Sequence, residues 1–393
     1  MTAAVAAPTV GAGPVRSRAA PATAARTGRL GSVDVVRGLA IAGMVLVNSP
    51  APGTPAVFGA LAHSEWNGWT FADTVFPAFV FVVGVSLALS SGKAVSTARL
   101  ARRALGLFML GLVVNAAPDL IGGTAPAAAL SHLRVMGVLQ RIALAYLVTV
   151  LVVRLPRRWQ VLSAVGLLVG YGLFLTLTPV PGIGAGHLTP WGNPAGWLDR
   201  SVIGPTHMYH GGRFGYDPEG LAGTLPTAVT CLAGYWAGTA LKRRRPIRTA
   251  AVMAAAGGLA VAAGGWLSAV VPVNKRLWTP SFVLLMAGVA LLVTAAAHVA
   301  CDTSNRAGRG LLAPLRVLGT NPLVVYVGSE LTADVLSDLR LHSRVPAAEF
   351  LYQHHLAPLF GPLGGSAAYG ALILVSWWLV AWGLHRAGWY LRL

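Results

Sequence analysis

The chain has 393 residues, of which 55% are hydrophobic and 11% charged, and its mean hydropathy is +0.64. An ordinary soluble domain carries about 25% charged residues, so a soluble enzyme is excluded. The formal charge of +18 would point to nucleic acid if the cations lined one exposed face. Instead, Lys and Arg sit in short clusters between apolar runs, so no nucleic-acid partner is expected and orientation in a bilayer is.

Residues 1–30 are rich in Ala, Pro, Thr, Gly and Arg and lack an apolar run. They read as a disordered cytoplasmic tail and not as a signal peptide, leaving 31–393 as one transmembrane domain. Apolar stretches of roughly 20 residues, each able to cross a hydrocarbon layer about 30 Å thick, then recur along the chain. Ten spans are predicted, over residues 32–48, 70–91, 98–117, 134–153, 159–178, 221–241, 249–271, 279–299, 313–336 and 367–389. The expected fold class is all-α, a polytopic membrane helix bundle of about ten transmembrane helices, because an open sheet edge cannot be satisfied in lipid. Residues 349–360 are too few to cross and are expected to lie in the interface or to re-enter.

Alternate connections are rich and poor in Lys and Arg, the pattern of the positive-inside rule. One side collects Arg37, Lys93, Arg102, Arg103, Arg154, Arg157, Lys242, Arg243, Arg306 and Arg386, among others. Both termini of this multi-pass protein are therefore expected to be cytoplasmic, and the Ala, Gly and Arg bias points to a bacterial inner membrane. The opposite side holds the connections 49–69, 179–220 and 272–278, with His63, Glu65, His187, Asp199, His207, His210, Asp217 and Glu219. A simple connector needs only about 2 to 8 residues. The long 179–220 segment, with Trp191, Trp197, Tyr209 and Tyr216, is expected either to fold over a mouth and bind something or to be a solvated loop with interfacial anchors. Cys231 and Cys301 fall in different apolar runs, so neither a disulfide framework nor a metal site is expected. Gly257, Gly258, Gly264 and Gly265 suit close helix packing, which would serve either a dimer contact or the chain's own bundle.

An ionisable group within a span costs on the order of 2.5 to 3.5 kcal/mol on insertion scales, so each needs a partner or a purpose. Arg141 follows Arg134 by two helical turns if 134–153 is one helix, which would make a basic stripe. Its expected partner is a carboxylate such as Asp34, Asp73, Glu330 or Asp334, or else an anionic ligand. Asp34 and Arg37 stand three apart and are expected to pair. Asp73 suits the start of the second helix, and Pro77 within that helix frees a backbone carbonyl. His63 precedes Glu65, Trp66, Asn67 and Trp69 near Asn48 at the close of the first span. A histidine accepts a proton near neutral pH, and an amide can hold a carbonyl or a developing oxyanion.

The string SVDVVRGLAIAGMVLVN from Ser32, followed by HSEWNGWTFADTVFPAFVFVVGVS from His63, resembles the heparan-alpha-glucosaminide N-acetyltransferase family of transmembrane acyltransferases. The blocks LRVMGVLQRIALAYL from Leu133, LDRSVIGPTHMY from Leu198, YDPEGLAGTLP from Tyr216, PVNKRLWTPSFVL from Pro272 and LGTNPLVVYVGSE from Leu318 resemble it in the same order. The resemblance implies an enzyme that takes acetyl-CoA from the cytosol and acetylates an amino sugar or glycan on the far side of the membrane. It implies His63 as the active-site residue and a role for Asn48.

On that basis His63 is expected to act as general base while Asn48 orients the acyl carbonyl, with a covalent acetyl-histidine as the alternative within the class. Trp66, Asp73, Arg134, Arg141, Asp217, Glu219, Asn274, Lys275 and Trp278 are the candidates for substrate binding, although Lys275 equally suits an interfacial anchor. The phosphates of acetyl-CoA are expected to meet Arg37, Arg102 or Arg103, whose position the positive-inside rule also explains. Acetyl-CoA is the expected co-substrate, with no metal. A membrane transporter or flippase of amino sugars or lipid-linked glycans is the reading from another class, since an intramembrane arginine and an aromatic mouth also suit a translocation path.

Overall fold

The computed structural model describes residues 30–53, 57–90, 96–243, 245–303, 310–340 and 345–391, and the expected 1–30 tail lies outside them apart from its last residue. The helices in chain order are α1 (Gly31–Asn48), α2 (Phe71–Ser90), α3 (Thr97–Ile121), α4 (Pro126–Ser131), α5 (Val138–Val152), α6 (Arg157–Leu177) and α7 (Pro194–Val202). They continue as α8 (Leu221–Leu241), α9 (Pro246–Leu267), α10 (Pro280–Asp302), α11 (Ala313–Leu318), α12 (Pro322–Asp338), α13 (Ala347–Leu351) and α14 (Ala357–Arg386), with a π-helical turn at Tyr352–Leu356. Among the described residues the only β pairing is two isolated bridges, Val180 with Gly184 and Arg340 with Pro346. The all-α expectation stands.

Among the described residues, seven helical segments are long and apolar enough to cross a membrane: α1, α2, α3, α6, α9, α10 and the continuous stretch Ala347–Arg386. The protein is a multi-pass membrane protein on this ground. The three other expected spans differ for separate reasons. Helix α8 keeps the expected bounds but carries Thr224, Thr227 and Thr230, all buried where it packs against α2, α5, α6 and α10. Helix α5 starts only at Val138, after an extended Gly137. Residues before it pair with another loop, Val135 N–H donating to the His207 carbonyl (3.0 Å) and the His207 ring bonding the Leu133 carbonyl (2.8 Å). The expected basic stripe on one helix is therefore corrected: Arg134 lies outside α5 and Arg141 within it.

The expected 313–336 span is two helices, α11 and α12, broken ahead of Pro322. A proline disfavours helix in the residue before it. Here Asn321 instead turns its buried side chain to the end of the chain, donating to the Trp389 carbonyl (3.0 Å) and accepting from Leu391 N–H (3.0 Å). The short 349–360 piece is helical and runs on into α14, where Gly361 sits at a φ of 72°.

The crossing of α2 with α8 is set by glycine. A Cβ on Gly84 would stand 1.8 Å from the Cys231 carbonyl oxygen, and one on Gly234 would stand 1.8 Å from that of Phe81. Each glycine thus lies on the other helix's backbone, a contact that only a residue without a side chain permits. Gly257 and Gly288 make a similar mutual approach between α9 and α10. Because α2 and α8 are locked along their length, the loops at one end of them are held together: the stretch before α2, the end of the long loop before α8, and the turn before α10. Cys231 and Cys301 are buried and not joined in a disulfide.

Replacing both Gly84 and Gly234 by Ala is expected to lower the thermal midpoint of the detergent-solubilised protein by about 5–10 °C. The control Gly258→Ala, at a position where a Cβ meets nothing within 4 Å, is expected to leave it unchanged or slightly raised. Differential scanning fluorimetry with a thiol-independent dye reads both.

Candidate active site

Three segments meet at the end of the bundle where α2, α8 and α10 begin. The first carries His63. Its backbone is folded by Thr70, whose hydroxyl donates to the Ala62 carbonyl (2.7 Å), and by Asp73, whose Oδ2 accepts from the N–H groups of Ser64 (3.0 Å) and Thr70 (3.0 Å). This is the capping-box device, in which an acidic residue three positions into a helix reaches back to the N–H of the capping residue. The other carboxylate oxygen, Oδ1, lies 2.9 Å from Nδ1 of His63. A carboxylate can only accept, so Nδ1 carries the proton and Nε2 is left with its lone pair. Asp73 is almost wholly buried, whereas the His63 side chain is 38% exposed.

The second segment is the 272–279 turn. Asn274 is fully buried, donates to Asn67 Oδ1 (3.2 Å) and accepts from Leu277 N–H (2.9 Å). Gly68 N–H donates to the Val273 carbonyl (2.7 Å), tying the turn to the His63 segment. The turn is closed at Trp278, which adopts a φ of 56°, a left-handed conformation rare for a bulky residue. Its ring is buried between Phe76 and Phe282 and under the Arg141 guanidinium (5.1 Å). Trp278 and Asn274, both expected to line a pocket, are buried within the turn and its packing. Lys275 is what the turn presents: its Nζ lies 3.0 Å from Nδ1 and 3.3 Å from Nε2 of His63, and 3.4 Å from Asp73 Oδ1. Burial pushes the Lys275 ammonium below its ordinary pKa, against the opposing pull of Asp73 and Glu219.

The third segment is the long loop, which is structured. Arg134 donates to Asp217 Oδ1 (2.6 Å) and Glu219 Oε2 (2.6 Å), and its guanidinium lies over the Tyr209 ring at 4.8 Å. Burial opposes the charge on Arg134, but the two carboxylates outweigh it and raise the pKa above the ordinary value. Burial likewise opposes ionisation of Glu219, and Arg134 and Arg141 reverse the sign and hold it below the usual range. Arg141 donates to the Gly220 carbonyl (3.1 Å) and feels the fields of Glu219 and Asp217. Its expected partners Asp34, Asp73, Glu330 and Asp334 are not its hydrogen-bond partners. The carboxylates come from a loop that is distant in sequence. Trp66 bridges the first and third segments, donating to the Leu188 carbonyl (2.7 Å) and meeting Tyr216 edge-on at 4.8 Å.

His63, Asp73, Lys275, Arg134, Asp217, Glu219 and Trp66 therefore belong to one linked site. Asn48 has a different setting: its amide donates to Glu330 Oε1 (2.8 Å), and it is not among the hydrogen-bond partners of His63. Glu330 was legible only as a span carboxylate, and nothing in its spacing announces Asn48 as its partner. At the other end of the bundle Arg37 bonds Asp34 (3.2 Å), the Gly319 carbonyl (3.0 Å) and Ser86 (2.7 Å). Arg103 lies over the Tyr146 ring at 5.4 Å, and Arg102 is exposed.

Against known proteins, the sequence profile of the heparan-alpha-glucosaminide N-acetyltransferase catalytic region matches residues 29–191. The human heparan-alpha-glucosaminide N-acetyltransferase is 29% identical over 364 residues, and the mouse protein of that name 27% over 362. The chain resembles these enzymes. Each alignment covers 77% of this chain and 53% of the relative, so the chain spans about half the length of the curated relatives it matches. The profile match takes in Asn48, His63, Asp73, Arg134 and Arg141. Asp217, Glu219 and Lys275 come from beyond it, and the fold delivers them to the same place.

Asp199 gives the long loop a pH response. It is 2% exposed on α7, accepts from Leu221 N–H (2.8 Å), and burial pushes its carboxyl up to about 7 from 3.8. The folded state therefore holds this proton more tightly than the unfolded chain. Stability is undiminished below about pH 4 and falls as pH rises through about 7. Asp199→Asn keeps the acceptor oxygen and removes the ionisation. Its thermal midpoint is expected to exceed that of the unmutated protein by about 3–8 °C at pH 8 and to match it at pH 4.

Proposed function

We propose that this protein is a transmembrane acetyltransferase that carries an acetyl group from acetyl-CoA to an amino sugar or glycan. The observation that carries the reading is the ring of His63, held through Nδ1 by the buried Asp73 with Nε2 left as the free base atom, in a chain similar to named N-acetyltransferases. In the proposed reaction Nε2 takes the proton of the acceptor amine as its nitrogen attacks the thioester carbonyl carbon. Asp73 keeps the ring in the productive tautomer and favours the imidazolium as it forms, the role a carboxylate plays behind a histidine base. Asn48, with one amide N–H on Glu330, keeps a second N–H for the acyl group.

The acceptor side is supplied by the long loop. Trp66 and Tyr216 offer aromatic faces and edges at 4.8 Å from one another, and Glu219 and Asp217 add negative charge that suits a protonated amine. Arg134 and Arg141 hold those carboxylates in place, so their part in substrate binding is indirect. Arg37 bonds Ser86 near the far end of α2, Arg102 and Arg103 stand in the first turns of α3, and all three suit the nucleotide of acetyl-CoA. That placement, with the positive-inside pattern, supports cytoplasmic termini and an acetyl group that crosses the bilayer to reach its acceptor.

The test is acetyl transfer from acetyl-CoA to glucosamine by the purified full chain in liposomes, followed by mass spectrometry. His63→Ala is expected to lower kcat by roughly 100-fold or more, and Asp73→Asn by a comparable factor through loss of the tautomer. Transfer unchanged in His63→Ala sinks the base assignment. A protein that moves glucosamine across the liposome without acetylating it would be a transporter instead.

A further inference from the structure

A base is half of what acyl transfer requires. Negative charge also develops on the carbonyl oxygen, and donors set 2.7–3.1 Å from that oxygen are commonly the largest single source of rate. Asn48 brings an uncharged amide, part of which is spent on Glu330. The group that stands against His63 itself is the ammonium of Lys275, at 3.0 Å from Nδ1 and 3.3 Å from Nε2. We propose that Lys275 is a catalytic residue, the cation that donates a hydrogen bond to the acyl oxygen as it becomes an oxyanion; this inference rests on the acetyl-transfer reading above.

The geometry supports it in three ways. Nζ stands nearly the same distance from both ring nitrogens, 3.0 Å from Nδ1 and 3.3 Å from Nε2, so it lies against the ring and not along the in-plane lone pair of Nε2, which stays open to the amine proton. An amine that passes its proton to Nε2 lies about 3 Å from it. The carbonyl carbon is one bond further, so its oxygen falls within the reach of a donor already 3.3 Å from the same atom. The lysine is also fixed at its root and tethered at its head. Asn274 and Thr279 close its turn through bonds of 2.9 to 3.2 Å, and Asp73 Oδ1 lies 3.4 Å from Nζ. Finally, its side chain is only 15% exposed, so its charge acts with little water to screen it. The lowered hold on its proton makes it a stronger donor.

The step balances without any further reactant. The acceptor nitrogen forms the C–N bond, the carbonyl electron pair moves to the oxygen that Lys275 holds, and Nε2 of His63 takes the amine proton. The oxygen pair then returns, the C–S bond breaks, and the CoA thiolate leaves with the proton from the imidazolium. Lys275 keeps its own protons throughout.

The experiment uses the full chain in liposomes with acetyl-CoA and glucosamine. Lys275→Gln is expected to lower kcat by roughly 100- to 1,000-fold while the KM for acetyl-CoA changes by less than about threefold. Lys275→Cys is expected to be equally slow, and alkylation with 2-bromoethylamine, which rebuilds an ammonium of nearly the same reach, is expected to restore kcat at least about tenfold. A lysine that merely braces Asp73 would change the thermal midpoint and KM along with kcat. The proposal is overturned if Lys275→Gln keeps kcat within about threefold, or if the alkylated Lys275→Cys protein, folded by its thermal midpoint, stays as slow as the unalkylated one. Should the unmutated chain transfer no acetyl group at all, the proposed function falls and this role falls with it, an outcome distinct from either result above.

Discussion

Asp73 sits where a helix starts and a histidine ends a loop, and one buried carboxylate satisfies both. Its Oδ2 caps the first turn of α2 through the N–H groups of Ser64 and Thr70, and its Oδ1 meets His63 and Lys275. A buried carboxylate is tolerable only when its oxygens are matched by donors, and these come from the His63 segment and from the 272–279 turn. The capping bonds fold the loop so that His63 faces Asp73, and the charge draws the lysine of a segment some two hundred residues away. Loss of the carboxylate would release the loop, the ring and the cation together.

A second constraint carries that arrangement across the bilayer-sized bundle. Gly84 and Gly234 let α2 and α8 touch backbone to backbone, so the start of α8 stands beside the start of α2. The Arg134 guanidinium then joins the segment before α5 to Asp217 and Glu219 before α8. Alternating positive and negative groups run from Asp73 through Lys275, Glu219 and Arg134 to Asp217. Each charge in this run has an opposite neighbour, which is what a site at the edge of a low-dielectric bundle requires.

Much of this was legible before the structure. Hydropathy alone gives helices and a membrane protein, because a 20-residue apolar run has few other stable fates. His63 and Asp73 lie in a single block, where the family resemblance pointed to His63 and the start of a helix suited Asp73. The failures share one cause. Periodicity extends a helix backwards through 134–137, whereas the backbone there pairs with the loop around His207. Likewise the run through 313–336 looks continuous, and the break ahead of Pro322 is held by the side chain of Asn321 reaching the distant chain end.

The sequence by itself determined the solvent of this protein and the positions of most of its helices, because each follows from interactions within a turn or a span. Which loop residues share the site was decided only by tertiary structure. Partners such as Lys275 for His63, Arg134 for Glu219, or Glu330 for Asn48 are separated by tens to hundreds of residues. They come within bonding distance only after helix packing has set the crossings, and no pattern of spacing along a chain encodes a distance measured across it.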